Sequence, residues 1–169
     1  MKTTSCVLGI ALLLAACQQP SKSASNEAFE KNSATLAAYL KSFQDKKPDY
    51  SGFADNYWAL NTLFGVKSDT VTLEQMKESD RKFLEMFDLK LAGDSIVFLP
   101  GVSSSTKMPD GSVRYYASWR VTRHATDSTK EKSAVLKLYE SYDFDDNGKI
   151  AFSQIYGDFS AAMNYLTSK

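Results

Sequence analysis

Cysteine is almost absent from this chain: its two copies, Cys6 and Cys17, both fall near the N-terminus. Nothing downstream can form a disulfide, a thiolate zinc site or a cysteine nucleophile, so the core alone must hold the fold. Histidine is reduced to a single copy, His124. An excess of charge of either sign is also missing. Lys and Arg total 20 against 20 Asp and Glu, which leaves no basic footprint for nucleic acid and no acidic one for a cationic partner. Long apolar runs are lacking too. Val7 to Leu14, the apolar stretch near the N-terminus, is too short to span a bilayer. What the chain does hold in quantity is aromatic residues, with 9 Tyr, 10 Phe and 2 Trp, enough to furnish an aromatic core or pocket.

The N-terminus reads as an export signal. Lys2 supplies the positive start, Val7 to Leu14 the apolar centre, and Leu14-Ala15-Ala16-Cys17 the cut site. Small residues at 15 and 16 fit a peptidase's shallow subsites. A cysteine at the cut resembles the lipobox of bacterial lipoproteins. The expectation is a signal peptide over 1–16, lipid on the Cys17 thiol, a flexible tether over 17–25 and a domain over 26–169. Gln18 to Ser25 is polar, contains Pro20 and has no apolar period. The expected location is the cell envelope, anchored in the outer membrane and facing the periplasm, since the tether has no acidic cluster.

Periodicity divides the domain. Phe29, Leu36, Leu40 and Phe43 recur at helical spacing, with Asn26 as cap, which predicts a helix over about 26–45 that ends before Pro48. Phe53 to Phe64 is dense in large apolar groups and is expected to be a second helix. Thr72 with Gln75 forms a capping box, and Val71 with Met76 a staple, opening a helix over about 73–87. After Leu89 the period becomes two. Ile96 to Leu99 is a short strand stopped by Pro100-Gly101. Val113, Tyr115, Ala117, Trp119 and Val121 share one face of a longer strand. Strands over 134–142 and 150–156 flank a turn, and 158–166 is a short terminal helix. Helices first and an antiparallel sheet after make an α+β plan.

One motif imitates a calcium site. Asp143-Phe144-Asp145-Asp146-Asn147-Gly148-Lys149-Ile150 fits the opening eight positions of an EF-hand loop. Position twelve, which needs a bidentate glutamate, is Gln154, and both flanks alternate as strands. A hairpin whose Asn147-Gly148 supplies positive φ angles is the favoured reading. No metal site and no cofactor is expected.

Four segments together carry a family resemblance: Phe53-Ala54-Asp55 after the first helix, Arg114-Tyr115-Tyr116-Ala117-Ser118-Trp119 on a strand, the Asp145-to-Ile150 hairpin, and Tyr156-Gly157-Asp158 before the terminal segment. They resemble the nuclear transport factor 2-like superfamily, which includes the SnoaL-like polyketide cyclases. The resemblance implies a cone-shaped fold, with helices packed on a curved antiparallel sheet around a hydrophobic pocket. It implies Tyr57, Trp58, Tyr115, Trp119, Tyr139 and Tyr156 as pocket residues. Enzymes of this family place an Asp or His base in the pocket beside a Tyr or second acid. A histidine pair is impossible here, and His124 sits at a hairpin end as a turn residue. Asp55 and Asp158 remain as weak catalytic candidates, each also explained as a helix cap or strand end. Arg114, Arg120 and Arg123 are expected to be solvated.

The reading preferred from sequence is a non-catalytic module of the envelope, binding a small hydrophobic ligand or a protein partner, with a homodimer compatible. Its alternative is an isomerase or cyclase acting on a small hydrophobic carbonyl compound through a pocket aspartate. A charged group buried in the pocket would favour the enzyme; a pocket filled by its own aromatics would favour the module.

Overall fold

The first helix, α1 (Ala24–Gln44), buries Leu36, Tyr39, Leu40 and Phe43, a stripe at i, i+3, i+4 and i+7 that forms one apolar face. The computed structural model describes residues 24–63, 65 and 69–168. The signal segment, Cys17 and the tether as far as residue 23 lie outside the described residues. Asn26 stands inside α1 rather than capping it. The helix stops where Lys46 turns left-handed at φ 59°. There the Lys47 amide reaches the Ser42 carbonyl and the Lys46 amide reaches Phe43, the closing pattern that satisfies the last carbonyls.

The chain then enters β1 (Phe53–Leu60), where a second helix was expected. The apolar density of this segment suits either state; the partner decides. β1 lies parallel to β7 (Ile150–Tyr156) and antiparallel to β2 (Thr70–Thr72). The pairing with β7 joins residues as far apart in sequence as Phe53 and Ile150 and leaves no local signal. Helix α2 (Leu73–Met86) opens with the expected capping box: Gln75 and Thr72 exchange side-chain and backbone bonds in both directions. It hands over directly to β3 (Phe87–Leu91). β4 (Val97–Val102) continues through Pro100 and Gly101 instead of stopping before them. It pairs through one side only, with a register shift between Pro100 and Val102, a setting in which a proline costs no ladder bond.

The long strands β5 (Pro109–Arg123) and β6 (Lys132–Phe144) form the spine. The sheet order is β2-β1-β7-β6-β5-β3, with β4 also on β5. It is a mixed sheet, antiparallel except for β1 with β7. Register pairs Tyr115 with Glu140, Trp119 with Leu136, and Val113 with Tyr142, so these side chains share the inner face. α1 packs on β5, α2 on β1, and the terminal helix α3 (Phe159–Thr167) on β6. All three helices thus close the inner face of the curved sheet, and the α+β cone is as expected. The β6–β7 connection is a hairpin turn. Of its residues only Gly148 takes a positive φ, 74°, and Asn147 does not. Asp145 Oδ1 accepts from the Asn147 and Lys149 amides, and Asp143 pairs with Arg114 at 2.9 Å. Among the described residues no group of acids and histidines is placed to hold a metal ion.

Candidate functional site

Between the helices and the inner face lies a cavity of about 530 Å³, a size common to small-molecule sites. Its walls are largely aromatic and aliphatic. Tyr39 and Phe43 come from α1, Phe53 and Tyr57 from β1, Met76 and Phe83 from α2, Trp119 from β5, and Phe159 and Met163 from α3. Rings brace one another edge-on: Tyr39 on Phe53 at 4.8 Å, and Phe53 on Tyr57 at 5.0 Å.

Two carboxyl groups interrupt this apolar lining. Asp80 arrives on α2. Met76, Asp80 and Phe83 fall at i, i+4 and i+7, so an acid occupies the stripe that faces the cavity. The opposite face of the helix is laced by Glu74–Lys77, Glu78–Arg81 and Glu78–Lys82 pairs. Tyr50 donates to Asp80 Oδ2 at 2.8 Å, and Tyr39 donates to the same oxygen at 3.4 Å. Burial pushes the Asp80 carboxyl up to about 6, against the two hydroxyl donors, which favour its anion. The second acid, Glu140, sits on β6 with Leu136, Leu138 and Tyr142 in the same inward phase. Burial raises its carboxyl above the ordinary range, opposed by the neighbouring Tyr115 and Tyr142 hydroxyls. Tyr142 donates to Glu140 Oε2 at 2.7 Å. The acids that reach the cavity are thus Asp80 and Glu140, and neither of the sequence candidates Asp55 and Asp158 is among them.

Beside these acids, Tyr57 presents a hydroxyl 2.7 Å from Ser153 Oγ and 3.2 Å from Met76 Sδ. Burial holds its phenol up, to about 12, with the Ser153 bond opposing. If Ser153 donates to Tyr57, the Tyr57 proton points at the sulfur, and both hydroxyl protons have an acceptor. The sulfur is a weak one.

The residues proposed from sequence divide into three groups. Tyr57 and Trp119 line the cavity. Tyr115 is buried beside Glu140, behind the lining. Trp58, Tyr139 and Tyr156 belong to the outer face: Trp58 packs on Phe152 at 4.5 Å, and Tyr139 lies between Tyr116 and Tyr156. Asp55 is exposed on β1, where there is no helix to cap. Asp158 is exposed and caps α3 by accepting from the Ala161 amide. His124 is at the surface, paired with Asp88 at 3.0 Å. Arg114 is ion-paired, and Arg123 donates to the Lys130 and Ser168 carbonyls. Asp80, Glu140, Tyr39 and Tyr50 were not foreseen as site residues. The signal for both acids was their phase, each being a charge at an apolar position of its element.

No protein-family model matches the chain, and no curated protein does either. Solved structures do share its fold. A nuclear transport factor 2-like protein from Anabaena variabilis superposes with a TM-score of 0.60 at 11% identity, covering 85% of this chain and 98% of its own. Bal32a, from a soil-derived mobile gene cassette, gives 0.58 at 14% identity over 83% of this chain and 99% of its own. The pinacolase BvnE of Penicillium brevicompactum gives 0.58 at 11%, covering 80% and 92%. The cone is thus the nuclear transport factor 2-like fold.

Proposed function

We propose that the domain is an acid–base enzyme of the isomerase or cyclase type, acting on a small hydrophobic carbonyl compound. The observation that carries this reading is Asp80, a carboxyl held near 6 inside an aromatic cavity with both of its hydroxyl donors on Oδ2. Near neutral pH it is mostly ionised yet more basic than an ordinary aspartate, the compromise a general base requires. Oδ1, which takes neither tyrosine bond, accepts the proton from the carbon next to the carbonyl. The C–H electron pair moves toward the carbonyl oxygen, where Tyr57 donates a hydrogen bond in place of its weak one to Met76. Return of the proton to another atom of the enolate completes an isomerisation. That a pinacolase shares the fold supports the reading as analogy only.

The test is exchange of the α-protons of β-tetralone in deuterated water, followed by NMR. Wild type should accelerate it, Asp80→Asn should lose about 10²–10⁴-fold of the acceleration, and Tyr57→Phe about 10²-fold. Binding of β-tetralone without any exchange would return the domain to the non-catalytic ligand-binding reading.

We propose as well that Cys17 carries lipid and tethers the domain to the envelope. Among the described residues no helix is long and apolar enough to cross a membrane, and the Leu14-Ala15-Ala16-Cys17 motif supports attachment by acyl chains. Cys17→Ala should accumulate as uncut precursor; normal processing and release of that variant would remove the anchor.

A further inference from the structure

Glu140 has no part in the proton transfer just described, and its surroundings are built for something else. It is 5% exposed, on the cavity wall between Tyr115 and Tyr142. Tyr142 donates to its Oε2. The Tyr115 hydroxyl is buried beside the same carboxyl, close enough to favour its anion yet without a well-formed hydrogen bond among the described residues. Two phenolic donors around one carboxyl suit its ionised form, which accepts on both oxygens and donates nothing. A neutral carboxyl would add a third donor to a cluster already short of acceptors. The ionised form lacks only a counter-charge. Among the described residues no lysine, arginine or histidine lines the cavity, whereas Tyr39, Tyr57, Trp119 and Tyr142 do.

From this geometry we propose that the substrate is an organic cation: a carbonyl compound bearing an ammonium group, which seats against Glu140 among the aromatic rings while the carbonyl end faces Asp80. The carbonyl half rests on the acid–base reading; the ammonium half does not. Aromatic faces attract a desolvated cation through their quadrupoles, and an adjacent carboxylate offsets the cost of removing it from water. Each acid then has one task. Seating the cation favours the Glu140 carboxylate over its acid, and any O–H proton so displaced leaves to solvent. The other titratable groups beside Glu140 are Tyr39, Tyr57, Tyr115 and Tyr142. All four are tyrosines held above their ordinary range, whereas Asp80, at about 6, lines the same cavity, so relative affinity rather than a proton count identifies the role of Glu140.

Three ligands of one shape and different charge test this: benzyltrimethylammonium, its carbon isostere neopentylbenzene, and benzylsulfonate. Tryptophan fluorescence and calorimetry read affinity. The cation should bind about tenfold or more tighter than the isostere, the anion weakest. Glu140→Gln should bring the cation down to the isostere's affinity without changing the isostere's own. Equal binding of cation and isostere, or a preference that survives Glu140→Gln, overturns the proposal. If that variant does not fold, wild type that binds the anion as tightly as the cation overturns it. Loss of β-tetralone exchange with the cation preference intact removes the acid–base reading alone.

Discussion

The two faces of β5, β6 and β7 both carry rows of tyrosine and use them in opposite ways. On the inner face Tyr115 and Tyr142 stack at 6.3 Å with their planes 7° apart, and both address Glu140. On the outer face Tyr116, Tyr139 and Tyr156 run across the same strands at 5.0 and 6.4 Å, with Tyr116 68% and Tyr156 47% exposed. Adjacent residues such as Tyr139 and Glu140 therefore meet opposite environments. The inner row holds an acid out of water and tunes it; the outer row covers a surface. Residue type does not separate the two faces, and strand phase does.

The largest expected effect is on stability, and the two tryptophans measure it. Trp119 is 1% exposed in the inner row and Trp58 is 44% exposed on the outer. Trp119→Ala should cost about 3–5 kcal/mol in chemical denaturation, from lost transfer energy and the space left behind. Trp58→Ala should cost about 1 kcal/mol or less. Similar values for the two would mean that the outer face is covered in solution, and the contrast between faces would fail.

A smaller effect sharpens the electrostatic half of the contrast. The folded protein holds the Asp80 proton at about 6 against an ordinary 3.8. The stability contributed by protonated Asp80 is therefore complete below about pH 3.8 and is lost as the pH rises through about 6. Asp80→Asn keeps an acceptor for Tyr39 and Tyr50 and removes the charge. It should be more stable than wild type above pH 6 by on the order of 2 kcal/mol, with the gain vanishing below pH 4. Melting curves across that range check it. The variant that abolishes exchange thus stabilises the fold, the usual exchange of stability for function at a strained site. A variant destabilised at every pH would show Asp80 to be a structural anchor.

Much of this was legible in the sequence, and the illegible part has definite causes. The Thr72 capping box and the inward phase of Val113 to Val121 are local patterns that formed as read, and the Asp145-to-Gly148 turn formed with Gly148 alone at positive φ. The β1 segment was not, because its strand state depends on β7, far along the chain. The site residues went astray for a different reason: aromatics were assigned to the pocket by type. The alternation Leu136, Leu138, Glu140, Tyr142 already placed an acid in phase with the core and Tyr139 out of it. Asp80 likewise stood between Met76 and Phe83 on the apolar stripe of a capped helix. Tyr50, arriving from the segment before β1 to hold Asp80, left no trace in any period.

The smallest effect concerns the turn that sets this phase. The β6–β7 register, Glu140 opposite Ile155 and Tyr142 opposite Ser153, follows from the hairpin whose corner is Gly148 at φ 74°. With β6 held by its pairing to β5, a slip of β7 by one residue would turn Ser153, the partner of Tyr57, away from the inner face. Gly148→Ala must hold a Cβ in the left-handed region, and that Cβ would approach Lys31 Nζ at 3.2 Å and Asn32 Oδ1 at 3.3 Å. The expected cost is about 1 kcal/mol. Gly148→Asn should cost less, since asparagine tolerates that conformation. Calcium should leave the melting temperature of all three proteins unchanged, because Asp143 is committed to Arg114 and the Asp145 carboxylate to backbone amides. The decisive readout is the hydrogen-exchange pattern of β7. If Gly148→Ala lowers stability but keeps the wild-type protection order, the turn only adds energy. If protection moves by one residue along β7, the turn selects the register, and with it the face on which Ser153 lies.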